Sequence, residues 1–348
     1  MTKHERSLHT VSDLIEAGLA PQAQRPALDA VAARYAVAIS PAVAGLIEHS
    51  DDPIARQFVP AAAELVTTPA ERADPIGDDA HSPVEGIVHR YPDRVLLKLV
   101  HVCPVYCRYC FRREVVGPRG RGTLSAKAIA QALDYIRAHK EIWEVIFTGG
   151  EPLLLSARRL RAVMRALATI EHVKVVRVHT RLPIVTPERV TAELVRAVKA
   201  SGKATYVVAH VNHARELSRE ARTACARFVD AGVPVLSQSV LLRGVNDDAV
   251  TLEALLRTLV ECRIKPYYLH HADLAPGTAH FRTSLGEGQA LMRALRGRLS
   301  GIAQPTYVLD IPGGAGKVPV GPCYLEEAGG HYRVEDPQGG SHAYPPAD

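Results

Sequence analysis

The sequence predicts an α/β fold, a partial (βα)6 barrel of the TIM type with an N-terminal helical extension and a short C-terminal segment. Three observations predict it. From residue 94 onward, short β-branched apolar runs alternate six times with amphipathic stretches, a pattern that implies a parallel sheet with helices outside it. Polar residues recur where these runs end, at Cys103, Gly149, Glu151, His210, Gln238 and Asp273, and in barrels the C-terminal strand ends carry the site. Right-handed crossovers leave a barrel or an open doubly wound sheet; the polar strand ends favour the barrel, and six units rather than eight leave it open at one side.

The elements follow in order. Residues 1–88 carry helical patches such as "RPALDAVAARYAVAI" and "PIARQFVPAAAEL" and form the extension. The barrel, 89–302, begins with "RVLLKLVHV", an apolar run bounded by the polar "RYPDR" that reads as a buried strand. The helix "SAKAIAQALDYIRAHK", the strand "EVIFTGG" and the helix "SARRLRAVMRALATI" come next. The strand "VKVVRVH" precedes "TPERVTAELVRAVKASG", whose Thr186 and Pro187 have the chemistry of an N-cap and a first helical position. The fourth pair is "ATYVVAHV" with "ARELSREARTACARFVDAG", closed by Gly232. "VPVLSQSVLL" with "DAVTLEALLRTLVECR" and "KPYYLHHA" with "GEGQALMRALRGRLSG" complete the six. In 303–348, "YVLDIPGGAGKVPV" is a strand running into a Gly-rich loop, and "GGHYRVEDPQGGSHAYPPAD" is a short hairpin or coil, then disorder.

Composition narrows the function. Of 348 residues 47% are hydrophobic and 23% charged, ordinary for a soluble globular protein large enough to bury a sizeable core. The start has no apolar core with a cleavage site, and no stretch approaches the ~18 apolar residues of a membrane span, so the chain reads as cytoplasmic with no membrane partner. A net charge of +5 with scattered Lys and Arg shows neither a basic stripe nor a stacking motif, which argues against nucleic acid.

Six cysteines in a reducing compartment point to metal binding or catalysis rather than disulfides, and half of them, Cys103, Cys107 and Cys110, crowd into one short segment after the first strand. A structural zinc site wants four ligands, usually as two C-x2-C pairs, and there is no second pair. Iron–sulfur cubes normally take four thiolates, so three leave one iron open to a small molecule. C-x3-C-x2-C after the first strand of an α/β barrel resembles the radical S-adenosylmethionine enzymes, in which the open iron of a [4Fe-4S] cluster binds the methionine moiety. "FTGGEPLL" lies at the end of the second strand, where that superfamily carries a Gly-Gly-Glu type motif. Gly149 and Gly150 let backbone approach a ligand, and Glu151 supplies an acceptor for its ammonium.

"DIPGGAGKVPV" fails as a phosphate loop because Ile311 and Val318 stand where Gly and Ser or Thr are required. A lysine on such a loop can instead bind a carbonyl cofactor. From "ARYAVAISP" to "GKVPVGPCYL", through "GIVHRYPDRVLL", "CRYCFRR", "LLRGVND", "PYYLHHADLAPGTAHFRT" and "DIPGGAGK", the chain resembles the lysine 2,3-aminomutase family. The resemblance implies a [4Fe-4S] cluster on the three cysteines, S-adenosylmethionine and pyridoxal 5′-phosphate. It implies Lys317 as the catalytic pyridoxal-binding lysine, with Arg90, Arg94 and Gln238 around the cofactor and His210 among the cofactor-binding residues. It implies Arg112 for the substrate carboxylate, and Asp273 and Asp310 for a remote ammonium. The expected reaction is the interconversion of L-lysine and β-lysine, begun by a 5′-deoxyadenosyl radical and fed by an external one-electron reductant. The alternatives are β-lysine production for elongation factor P, or a different amino acid. A homo-oligomer is left open.

The chain also departs from the family. Its long clostridial members bind zinc with a C-terminal cysteine cluster completed just after "RGVND", where this chain has Asp248, and no cysteine follows Cys323, so no structural zinc is expected. Tyr109 replaces their histidine, as in the shorter branch. Cys225, Cys262 and Cys323 are expected to be core or surface thiols.

Overall fold

Nine strands form one sheet in strict chain order, β1 to β9, in the computed structural model, which describes residues 6–117 and 122–345. Seven of them are parallel neighbours: β2 (Arg94–Val100), β3 (Glu144–Gly149), β4 (Val175–Thr180), β5 (Ala204–His210), β6 (Val235–Leu241), β7 (Ile264–His271) and β8 (Thr306–Ile311). The six expected strand–helix pairs are all there, as β2 to β7 with the helices that follow them, and β8 adds a seventh parallel strand. The two edges are antiparallel. β1 (Ile87–Tyr91) pairs with β2, and β9 (Gly316–Pro319) turns back on β8. Sequence reading missed β1 because two residues separate it from the much stronger apolar run of β2; this strand crosses residues 88–89, where the extension was expected to end.

The ladder does not close around the ring, as expected of a partial barrel. At the seam the Lys317 N–H of β9 donates to the Tyr91 phenol oxygen of β1 at 2.6 Å, and the Arg94 guanidinium lies 3.8 Å over the Tyr91 ring.

Side chains sort by the two-residue period of a strand. In β6 the lumen-facing Leu236, Gln238 and Val240 alternate with the buried Val235, Ser237, Ser239 and Leu241. In β4 Val176 and Val178 face outward into the helix layer and are fully buried, each such burial stabilising by roughly 1.5–3 kcal/mol. Each outer helix begins on a short polar side chain that accepts a backbone N–H of the first turn: Ser125, Ser156, Thr191, Ser218, Asp248 and Ser284. Such caps contribute about 1 kcal/mol each. Thr186 is not among them, contrary to the sequence reading. It precedes a 3-10 turn, Pro187–Arg189, makes no cap bond, and the helix proper starts at Ala192 behind Thr191. Gly232 does end its helix, with φ +78.

Cys225 is buried, Cys262 half-buried and Cys323 exposed. The C-terminal residues form a separate antiparallel sheet of β10 (Leu325–Ala328), β11 (His331–Glu335) and β12 (Ser341–Tyr344), more order than the expected hairpin or coil. The disorder expected at the chain's end falls on 346–348, outside the described residues. Among the described residues no helix is long and apolar enough to cross a membrane.

Candidate active site

The loop after β2 carries the three cysteines, and the extension bolts it in place. Glu64 accepts from Arg108 Nε at 2.9 Å and Nη2 at 2.6 Å, and also pairs with Arg113. Gln57 and Glu216 hold the Arg181 guanidinium at 2.7 and 2.6 Å. Arg181 Nη1 then donates to Cys107 Sγ at 2.8 Å and to the Tyr109 hydroxyl at 2.5 Å. Tyr109 in turn contacts His210 Nε2 at 2.7 Å. His210 thus lies against the cysteine loop, and burial, then Arg181, holds its imidazole well below its usual range, hence neutral.

Cys103, Cys107 and Cys110 are each half-buried and lie within electrostatic range of one another. Burial, then the Cys107 charge, pushes the Cys110 thiol up to about 11. Three thiols gathered so need positive charge to ionise together, and Arg112, Arg113 and Arg181 supply it. Among the described residues no three His, Cys, Asp or Glu side chains close on a single ion. A cube, whose corners each take one thiolate, requires sulfurs set further apart than that.

The Gly-Gly-Glu turn follows β3. A Cβ on Gly149 would stand 2.6 Å from the Val100 carbonyl oxygen, and one on Gly150 2.4 Å from that of Val102, so glycine is needed for the turn to lie against the cysteine loop. The Glu151 carboxylate was expected to accept a ligand ammonium. It accepts from Leu153 N–H (3.0 Å), Thr180 Oγ1 (2.7 Å), Arg181 N–H (2.8 Å) and Leu182 N–H (3.1 Å), which fix it at the end of β3.

Lys317 projects from β9 into the lumen. Its Nζ pairs with Asp310 of β8, lies 3.1 Å from His270 Nδ1 of β7, and stands 5.6 Å from the centre of the Tyr268 ring. Burial works to raise the Asp310 carboxyl, but its His270 hydrogen bond and the Lys317 charge outweigh that and hold it at about 2. Asp273, just beyond β7, has the opposite fate. Burial, then the negative charge of Asp310, pushes it up to about 7. Arg90 reaches the group directly, with Nη1 3.8 Å from Asp310 Oδ1. Arg94 reaches it only through Tyr91, and its guanidinium pairs with Asp93 at 2.6 Å. Gln238 is the register neighbour of Tyr268 and of His210, between the lysine and the cysteine loop.

Arg112 donates to Asp78 of the extension from Nε (3.2 Å) and Nη2 (3.0 Å), and to Thr148 Oγ1 from Nη1 (3.3 Å). A cavity of about 1370 Å³ opens beside it, with Arg34, Asp74, Asp78, Lys98, Arg112 and Glu114 among its walls.

Two segments match known families: residues 97–256 the Radical SAM superfamily, and residues 292–334 the family Lysine-2,3-aminomutase. The L-lysine 2,3-aminomutase of Clostridium subterminale is 42% identical over 291 residues, 83% of this chain and 70% of that one. The chain belongs to the lysine 2,3-aminomutase family. It is a radical S-adenosylmethionine aminomutase, an isomerase, and its family uses a [4Fe-4S] cluster, S-adenosylmethionine and pyridoxal phosphate. The family also contains a glutamate 2,3-aminomutase, from Clostridioides difficile, 38% identical over 87% of this chain and 71% of its own. A radical SAM methyltransferase from Sphaerobacter thermophilus is structurally similar, with TM-score 0.46 and 24% identity over 64% of this chain and 68% of that one.

The lumen of this aminomutase suits a polar, anionic cofactor. Among the described residues His179 Nε2, His270 Nε2 and Arg90 Nε are buried without a partner, an arrangement costly unless a ligand completes it. Lys98 of β2 and Arg177 of β4 are each paired, with Asp78 at 3.8 Å and Glu144 at 2.8 Å. Sequence reasoning passed over His179, His270, Tyr91 and Arg181. His270 stood inside a quoted motif, "PYYLHHA", but only the pairing of β7 with β8 brings it to Lys317.

Proposed function

We propose that this aminomutase acts on L-lysine, moving the amino group between C2 and C3 to give β-lysine. One observation carries the reading: Asp273 is a half-buried carboxyl with no hydrogen bond to its side chain among the described residues, next to the charged Asp310. A carboxyl in that setting favours a guest that brings a cation, and lysine's remote ammonium is one. The side-chain carboxylate of glutamate would meet like charge there.

The remaining roles follow from the chemistry of each side chain. Cys103, Cys107 and Cys110 hold the cluster, and the Gly149–Glu151 turn borders S-adenosylmethionine. Lys317 holds pyridoxal phosphate, with Arg90, Arg94 and Gln238 around it. When bound, the cluster and S-adenosylmethionine supply the one-electron chemistry and pyridoxal phosphate the carbonyl that carries an amine. Lys317 must lose a proton to act as a nucleophile. Burial, then the Lys317 charge, lowers the His270 pKa, so its imidazole stays neutral at pH 7 beside the amine and adds no competing charge. Asp310 stays charged throughout and holds the amine in the lumen. Arg112 meets the substrate carboxylate, its guanidinium fork suiting two oxygens at once.

The test is anaerobic reconstitution followed by incubation with L-lysine, L-glutamate and an uncharged amino acid. Lysine is the expected substrate. A charge-assisted hydrogen bond is worth roughly 1.5–3 kcal/mol, so Asp310→Asn lowers kcat/KM for lysine about tenfold to a hundredfold at ~1.4 kcal/mol per decade. Rearrangement of glutamate with lysine ignored would overturn the assignment.

A further inference from the structure

The segment "DPIGDDAH", residues 74–81, lies outside the barrel in sequence but not in space. Its turn packs backbone to backbone on the loop that carries Lys317. A Cβ on Gly77 (φ +69) would stand 2.6 Å from Gly314 N and 2.7 Å from Gly313 C, and one on Gly314 2.9 Å from His81 Nε2. Gly313 N–H also donates to the Pro75 carbonyl at 3.3 Å. Gly77 and Gly314 are needed for this approach, which gives the Gly-rich loop a packing role of its own. Asp74 fixes the turn by accepting the N–H groups of Asp78 (2.9 Å) and Asp79 (2.8 Å).

So held, the turn sends Asp78 inward among three cations. Oδ2 takes Nε and Nη2 of Arg112 and lies 3.8 Å from Lys98 Nζ. Oδ1 takes Arg90 Nη2 at 3.3 Å, and the other end of Arg90 faces Asp310. The Nε–Nη2 edge of Arg112 is therefore occupied by Asp78, and Nη1 spends one N–H on Thr148 Oγ1 at 3.3 Å, which leaves one N–H on each of Nη1 and Nη2 to meet a ligand. The chain of alternating charge runs Arg112, Asp78, Arg90, Asp310, Lys317.

We propose that Asp78 is a positioning residue for substrate: it orients Arg112 to receive the substrate carboxylate and ties that orientation, through Arg90, to the group around Lys317. This rests on the reading of Arg112 given above. The N-terminal extension is then part of the active site, although it carries none of the family's cofactor motifs.

Calorimetric titration of the holoenzyme with L-lysine and with 1,5-diaminopentane, which is lysine without its carboxylate, tests the proposal. Asp78→Asn keeps the shape and removes the charge. It should weaken L-lysine tenfold or more and leave 1,5-diaminopentane within twofold, while Asp78→Glu recovers much of the lysine affinity. Thermal melts of both variants establish that they fold; a variant that does not fold is replaced by Asp78→Ser in the same titrations. Equal weakening of both ligands, no weakening, or tighter lysine binding because a competitor for Arg112 has gone would each overturn the proposal. Arg112→Gln separates it from the reading beneath it. If Arg112→Gln discriminates the two ligands and Asp78→Asn does not, only the role of Asp78 falls. If Arg112→Gln does not discriminate, or the wild type binds no lysine, both fall.

Discussion

Glu64 and Asp78 are both buried carboxylates that the extension sends among barrel cations, and their surroundings differ. Glu64 faces Arg108, every nitrogen of which is occupied: Nε and Nη2 on Glu64, Nη1 on the Ala36 carbonyl at 2.8 Å. Arg113, the second cation on Glu64, and Arg90, a cation on Asp78, each keep a buried Nε without a partner among the described residues. The difference is therefore one of access: Asp78 lines the cavity and Glu64 does not. A carboxylate with no opening beside it serves the fold, and one beside a cavity can serve a ligand.

The comparison can be broken at its stronger side first. Removing one partner from a buried pair leaves the other charge uncompensated and costs about 3–5 kcal/mol, so Glu64→Gln should lower thermal and urea stability by that much. Asp78→Asn, which water can reach through the cavity, should cost well under half as much. Equal losses would show that both carboxylates are structural.

Backbone approach gives the next effect. Gly77 and Gly18 have nearly the same φ, +69 and +71, but a Cβ at Gly18 meets nothing within 4 Å. Both alanine variants carry the strain of a left-handed residue, about 1–2 kcal/mol. Only Gly77→Ala should also displace the lysine loop, read as weaker retention of pyridoxal phosphate on dialysis. Identical behaviour of the two would sever the extension from that loop.

Asp273 sharpens the contrast by having no cation bonded to it among the described residues. With its carboxyl pushed up to about 7 by burial and by Asp310, it is protonated in the free enzyme below that pH. Only the deprotonated form attracts an ammonium, so kcat/KM for lysine should fall as pH drops through 7, approaching tenfold per unit or ~1.4 kcal/mol. Asp273→Asn should abolish that limb; a limb that persists in the variant belongs to another group.

The barrel was legible because its strands are long, apolar and separated by helices of clear period, and the cysteine loop because three thiols at that spacing have few other uses. The edge strands were not. β1 and β9 are five and four residues long, carry Arg90, Tyr91 and Lys317, and owe their pairing to neighbours. Lys317 itself was named only through family resemblance, since a lysine in a Gly-rich turn has no signature of its own. His270, Tyr91 and Asp78 take their roles from tertiary approach across long sequence separations, which no local pattern records. Glu151 shows the reverse case, a motif residue whose carboxylate is engaged within the protein.

The seam between β1 and β9 is fastened by side chains where a closed barrel would use backbone. The Tyr91 phenol takes the Lys317 N–H, Arg90 faces Asp310, and Gly313 N–H donates to the Pro75 carbonyl. A single hydrogen bond contributes about 0.5–1.5 kcal/mol net, so it is their number that fixes where the lysine amine stands. The gap in the ladder is thus a place where side-chain identity, rather than backbone geometry, decides the shape of the lumen.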